Sequence, residues 1–143
     1  MGGITLNEID LFRMIGSISR KATTDLNQAV KKYGLDNNLF IYLARIVESE
    51  GITQYDLTGL TKVDKTTLSR ALIKLERLDY IIKITSPTNK NYKEIYPTQK
   101  SKNIYHILFD LESSYVNAAL VNLTPTERVE LIKYLKKISS TLS

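Results

Sequence analysis

Cysteine is absent from this chain of 143 residues, and histidine occurs once, at position 106. The first absence excludes disulfides, thiolate metal sites and a thiol redox switch. The second argues against a histidine-rich zinc or haem centre. No apolar run approaches the roughly 20 residues of a membrane span. The start, MGGITLNEIDLF, has no cationic patch followed by an apolar stretch, so no signal peptide is expected. A cytoplasmic location is therefore expected. There is also no GxGxxG, P-loop, HExxH or GxSxG. No catalytic residue, metal ligand set or cofactor is expected, and an enzyme is disfavoured. With 43% hydrophobic and 24% charged residues, the composition is that of an ordinary globular domain able to bury a core.

What the chain does have is a lopsided charge. Residues 61–102 carry ten Lys/Arg against four acids, whereas residues 1–60 carry six against seven and residues 103–143 four against four. The whole excess of +5 is thus due to the middle segment, where it can neutralise phosphates.

That segment has a readable order. Thr53 opens TQYD, a start resembling a capping box with Asp56 in place of Glu, and Leu57 and Leu60 give the short helix a buried side. Thr61-Lys62-Val63 is a turn, with Val63 filling the angle between helices. Asp64 caps a second helix running to about Leu78. At 100° per residue, Leu68, Ala71, Leu72, Leu75 and Leu78 share one face. Lys65, Thr66, Ser69, Arg70, Lys74 and Arg77 occupy the other, with Ile73 among them. Two β-prone stretches, Tyr80–Thr85 and Tyr92–Tyr96, flank the turn-forming SPTNKN. Two short helices followed by a hairpin make a winged helix-turn-helix, whose second helix has the chemistry to enter a DNA major groove.

Helical patterns lie on both sides. Leu6, Ile9, Phe12, Ile15, Ile18, Ala22, Leu26 and Ala29 recur at three- and four-residue steps over residues 6–31, with Asn7 as a candidate cap and Gly34 as a stop. Asp36 and Asn37 offer a cap for NLFIYLARIVES, apolar over so wide an arc that it should lie centrally. Thr98 should cap a long helix to about Asn122. Thr124-Pro125-Thr126-Glu127 opens a last one, where Leu131, Leu135, Ile138 and Leu142 repeat.

The helix order, with the hairpin after the fourth helix, resembles the multiple-antibiotic-resistance regulator (MarR) family of bacterial transcription factors. The best local match is ITQYDLTGLTKVDKTTLSRALIKLERLDYI. It is similar to the family's Leu-bearing helix, Val-Asp turn, Thr/Ser-Arg on the recognition helix and Leu-Glu before the wing. The family's wing usually carries Asp-x-Arg, with the Arg in the minor groove. Counting back from Thr98, those positions are Asn89 and Asn91, with Lys90 between them, so the usual Arg is missing. Lys90 and Lys93 offer charge without its planar fork.

The fold expected is mainly α: one domain over residues 1–143, with a winged helix-turn-helix lobe at about 36–98 and dimerisation helices at about 6–31 and 99–142. The terminal stripes exceed what a small winged module needs, and the resemblance implies that they interlock as a homodimer. The function expected is a double-stranded-DNA-binding regulator on a pseudo-palindromic operator, most often a repressor. The resemblance further implies release by a small-molecule effector held between the lobe and the dimer region, by residues that the sequence does not single out. Lys65, Thr66, Ser69 and Arg70 are the candidates for base edges and nearby phosphates. Lys74 and Arg77 would hold the backbone, with Lys90 and Lys93 reaching from the wing. Against this stand blander readings. Charged helix faces are often merely solvated, and lysines blunt exposed sheet edges. A protein-interaction adaptor on a winged-helix scaffold is the alternative, supported by the missing wing Arg. His106 lies opposite its helix's apolar stripe, as a solvated residue would. The nine tyrosines fall mostly on apolar positions, which favours core packing over stacking on single strands.

Overall fold

The computed structural model describes residues 3–142. Helix α1 (Leu6–Val30) ends in a 3-10 turn at Lys31–Tyr33 and is followed by α2 (Leu39–Glu48). Next come a short strand β1 (Ile52–Thr53), α3 (Gln54–Thr61) and α4 (Lys65–Arg77). The hairpin of β2 (Ile81–Thr85) and β3 (Lys93–Pro97) leads into α5 (Gln99–Ala119) and α6 (Pro125–Ser140).

Side-chain caps start most of these helices. The oxygens of Thr53, Asp64, Thr98 and Thr124 accept from the N–H groups of Asp56, Thr67, Ser101 and Glu127, satisfying donors that a helix start leaves free. At α6 the box is complete: Glu127 accepts from the Thr124 N–H at 2.9 Å, and Pro125 takes the first helical position.

Two caps differ from the sequence reading. Thr5, not Asn7, caps α1, accepting from the Glu8 N–H at 3.2 Å. At α2 neither Asp36 nor Asn37 is the cap. Asn38 stands there at φ 67° without a side-chain cap bond. Its amide instead faces Asn27 of α1: the Asn38 N–H donates to Asn27 Oδ1, and Asn27 Nδ2 donates to Asn38 Oδ1, both at 2.9 Å. A pair of long-range bonds displaces the local cap, and asparagine tolerates the left-handed backbone this needs.

The sheet has the order β1-β3-β2 and is antiparallel throughout. Ile52 faces Ile95, while β2 and β3 pair from Ile81↔Pro97 to Thr85↔Lys93. Gly51 leads into β1 at φ 89°, where an added Cβ would lie 3.1 Å from the Tyr96 hydroxyl. Only glycine accepts both conditions.

The core centres on α2, whose Leu39, Phe40, Tyr42, Leu43, Ala44 and Ile46 are buried. Around them pack Leu57, Leu68, Leu72, Leu75, Tyr80, Ile81 and Ile95, with Val30, Leu35 and Leu108 closing the ends. Leu60, expected beside Leu57, is 49% exposed instead. Helix α3 spans only eight residues, and Leu57 alone among them is buried.

Polar contacts fix the hairpin base. The Tyr80 hydroxyl donates to the Tyr33 carbonyl at 2.6 Å, and the Ser101 hydroxyl donates to the Tyr80 carbonyl. Lys100 donates to the Leu78 carbonyl at 2.6 Å and lies over the Tyr80 ring, while Lys102 pairs with Glu50 at 2.8 Å. Two cations of the basic segment are therefore occupied inside the fold.

The ends of the chain are different in kind. Helix α6 has no buried residue, and α1 has only Val30. Ile4, Ile9, Leu11 and Phe12 line an open groove of about 660 Å³ with Ile138 and Leu142. The Tyr115 hydroxyl ties α5 to α1 by donating to Asp25 at 2.7 Å, and that bond holds the Asp25 carboxyl below its usual range. Among the described residues, no helix is long and apolar enough to cross a membrane.

Candidate nucleic-acid interface

Helix α4 is set by its cap and its apolar face. Asp64 accepts from the Thr67 N–H and from the Thr67 hydroxyl, each at 2.8 Å. The Thr67 N–H and hydroxyl pull the Asp64 carboxyl below the ordinary carboxylate range. Leu68, Leu72 and Leu75 are fully buried, which fixes the rotation of the helix about its axis. The opposite face then points to solvent: Lys65, Thr66, Arg70, Lys74 and Arg77 are exposed, as is Ile73. Among the described residues, none of these cations is within salt-bridge distance of an acid.

Ser69 is half-buried, because the Gln54 side-chain amide donates to its hydroxyl oxygen at 2.7 Å. With one lone pair engaged, the Ser69 O–H remains free to donate outward. Gln54 is thus a neighbour of the candidate site that the sequence reading missed. Its position 15 residues upstream, on another helix, gives no local signal.

A cleft of about 520 Å³ opens between α4, the start of α3 and the hairpin. Gln54, Tyr55, Thr58, Lys65, Ser69, Lys83, Asn91, Tyr92 and Lys93 line it, with no acid among them. Of the sequence candidates, Lys65, Ser69 and Lys93 meet here. Thr66, Arg70, Lys74 and Arg77 stand outside on the exposed helix face, and Lys90 is exposed in the hairpin turn. Lys83 was missed. Asn89 shapes that turn, its side chain accepting from the Asn91 N–H at 3.0 Å. The tyrosines also divide: Tyr42 and Tyr80 are buried as expected, but Tyr55 is 73% and Tyr92 43% exposed beside the cleft.

A second cavity, of about 300 Å³, lies between the end of α2 and α5 and is lined by Glu48, Tyr105, Phe109, Glu112, Ser113, Val116 and Asn117. The Tyr105 hydroxyl donates to Glu48 at 2.5 Å. Burial, reinforced by that bond, pushes Tyr105 up to about 12. Burial and the Glu48 charge raise Glu112, with Arg45 opposing. Among the described residues, no group of His, Asp or Glu is placed to hold a metal ion.

A basic helix held at a tight turn and followed by a two-stranded hairpin defines a winged helix-turn-helix. Comparison with known proteins agrees. The model of the MarR family matches residues 35–91. The HTH-type transcriptional regulator YybA of Bacillus subtilis is 33% identical over 133 residues, which is 93% of this chain and 89% of that protein. The solved transcriptional regulator SlyA is 34% identical, with a TM-score of 0.87 over 93% of this chain and 94% of its own. A Listeria monocytogenes MarR family regulator, solved in complex with 26mer DNA, is 34% identical with a TM-score of 0.88, over 99% of this chain and 90% of that one. The chain belongs to the MarR family, whose members are transcriptional regulators and not enzymes.

Proposed function

We propose that this regulator is a repressor that binds a pseudo-palindromic operator as a homodimer, one α4 in each half-site. The observation that carries the reading is the exposed face of α4. Four cations, with Thr66, project from a helix whose other side is locked into the core, next to a cleft edged by hairpin lysines. Arg70 presents the planar fork suited to guanine, Lys65 and Ser69 supply donors, and Thr66 works beside them. Lys74 and Arg77, further along, serve the phosphate backbone, as do Lys90 and Lys93 from the wing. The reading lobe is residues 36–98, and the helices at 6–31 and 99–142 pair the two copies. A cytoplasmic location, where the chromosome is, goes with this reading.

An effector would act only through different affinities for two arrangements of the lobes. The cavity between α2 and α5 supports a site there, since it touches both the lobe and the long helix leaving it.

Genome-wide occupancy followed by salt titration tests the reading. The expected result is a small set of enriched sites, and duplex affinity that falls steeply with salt. Duplex binding that is absent at low salt would favour the adaptor alternative.

A further inference from the structure

The hairpin turn has little to hold it at a fixed angle. Its own bonds close it: the Ser86 N–H donates to the Tyr92 carbonyl at 2.9 Å and the Tyr92 N–H to the Asn89 carbonyl at 3.1 Å. These set the shape of the turn, not its direction. The pairing with β1 covers only Ile95 and Glu94 and stops two residues from Tyr92. Past that point the hairpin has no third strand, and a two-stranded ribbon bends and twists. Across the cleft, however, the ring of Tyr92 meets that of Tyr55 at the start of α3, with centroids 6.4 Å apart and planes at 61°. That is the edge-to-face arrangement aromatic rings prefer. Tyr55 is mostly exposed and Tyr92 partly so, and neither belongs to the buried core.

We propose that the Tyr55–Tyr92 contact is the positioning device of the wing. It holds the turn that carries Lys90, with Lys93 beside it, across the cleft from Lys65, so that helix and wing cations act on one stretch of DNA backbone. Lys83 is fixed separately, since its partner Ile95 also pairs with Ile52. This matters more here than in a wing with an arginine. Asn89 and Asn91 are uncharged and Lys90 between them lacks the arginine fork, so the tip contributes charge with little geometric preference of its own and depends on being aimed before binding. The inference rests on the DNA-binding reading above for its consequence, but not for its geometry.

The experiment has two arms, using full-length protein with Tyr55→Phe, Tyr55→Ala, Tyr92→Phe and Tyr92→Ala. In the free protein, NMR order parameters report residues 86–92. Both alanine variants should lower them while both phenylalanine variants keep them, because the contact is between rings. On duplex DNA, the alanine variants should bind about threefold to tenfold more weakly, the scale of one aromatic contact. Their salt slope should fall by about one to two units, as two lysines lose their phosphates. Lys93→Ala should then add little in a Tyr92→Ala background. An unchanged order parameter in the alanine variants overturns the proposal. So do phenylalanine variants as defective as alanine, or effects of Tyr92→Ala and Lys93→Ala that simply add. Wild-type protein that binds no duplex defeats the DNA-binding reading instead, and the free-protein arm still decides whether the ring pair aims the wing.

Discussion

Residues 35–98 and the two ends of the chain solve the same problem in opposite ways. In the middle, apolar side chains turn inward: fourteen of the sixteen buried hydrophobic residues lie there, Val30 and Leu108 being the others. At the ends they turn outward, with Leu6 72%, Ile18 67%, Val121 70% and Val129 65% exposed. The lobe is a finished core. The ends leave long apolar stripes exposed, and on the proposed reading a second copy covers them. The basic charge is gathered on one part of the lobe: residues 65–93 carry seven Lys/Arg against two acids, while residues 35–98 as a whole carry nine against eight. On the proposed reading, pairing the ends would place two readers at a fixed spacing, as two-site recognition requires.

The largest effect should come from breaking the ends without touching the lobe. Phe12→Glu with Leu135→Glu puts charge into both exposed stripes. Sedimentation should change from about twice 16.3 kDa to a monomer. Operator affinity should fall by about 10²–10⁴-fold, the advantage of two linked sites over one. Next is the reverse experiment. Leu68→Ala empties a fully buried position beneath α4 and should cost about 2–5 kcal/mol in urea denaturation, with the dimer intact when folded. If the two variants behaved alike, the contrast between finished and unfinished cores would be lost.

Within the lobe, the helix and the wing should differ too. Arg70→Ala should cost about 1–3 kcal/mol on the operator and less on random duplex, since it removes base readout. Lys90→Ala should weaken both equally and flatten the salt slope by about one unit. Should Lys90→Ala abolish sequence preference while Arg70→Ala does nothing, the wing is the reader.

The smallest effect concerns the α4 cap. The Asp64 carboxyl is held below its unfolded value of 3.8 by Thr67, so its contribution is present above that value and is lost as pH falls through and below it. Asp64→Ala should therefore be less stable than wild type at pH 7, and thermal melts at decreasing pH should bring the two together. A gap that widens in acid would mean that the carboxylate does not stabilise the cap.

How much of this was legible in the sequence follows from which forces are local. Thr53, Asp64, Thr98 and Thr124 bond to residues three positions on, so spacing alone located four helix starts. The two faces of α4 were legible because burial of Leu68, Leu72 and Leu75 repeats at the helical period. The Asn38 cap was not, since its partner Asn27 is on another helix. Strand β1 has two residues, too few to show alternation. At the candidate site, the face of α4 was visible, but Gln54, Lys83 and the Tyr55–Tyr92 contact come together only through the fold.

The account stands most directly on one footprint. Hydroxyl-radical cleavage of an operator taken from genome-wide occupancy should show two protected half-sites related by a dyad, with centres about 10 base pairs apart, one for each α4 of a dimer. A single unsymmetrical protected stretch, bound by one copy, would contradict the claim that the ends exist to pair two readers.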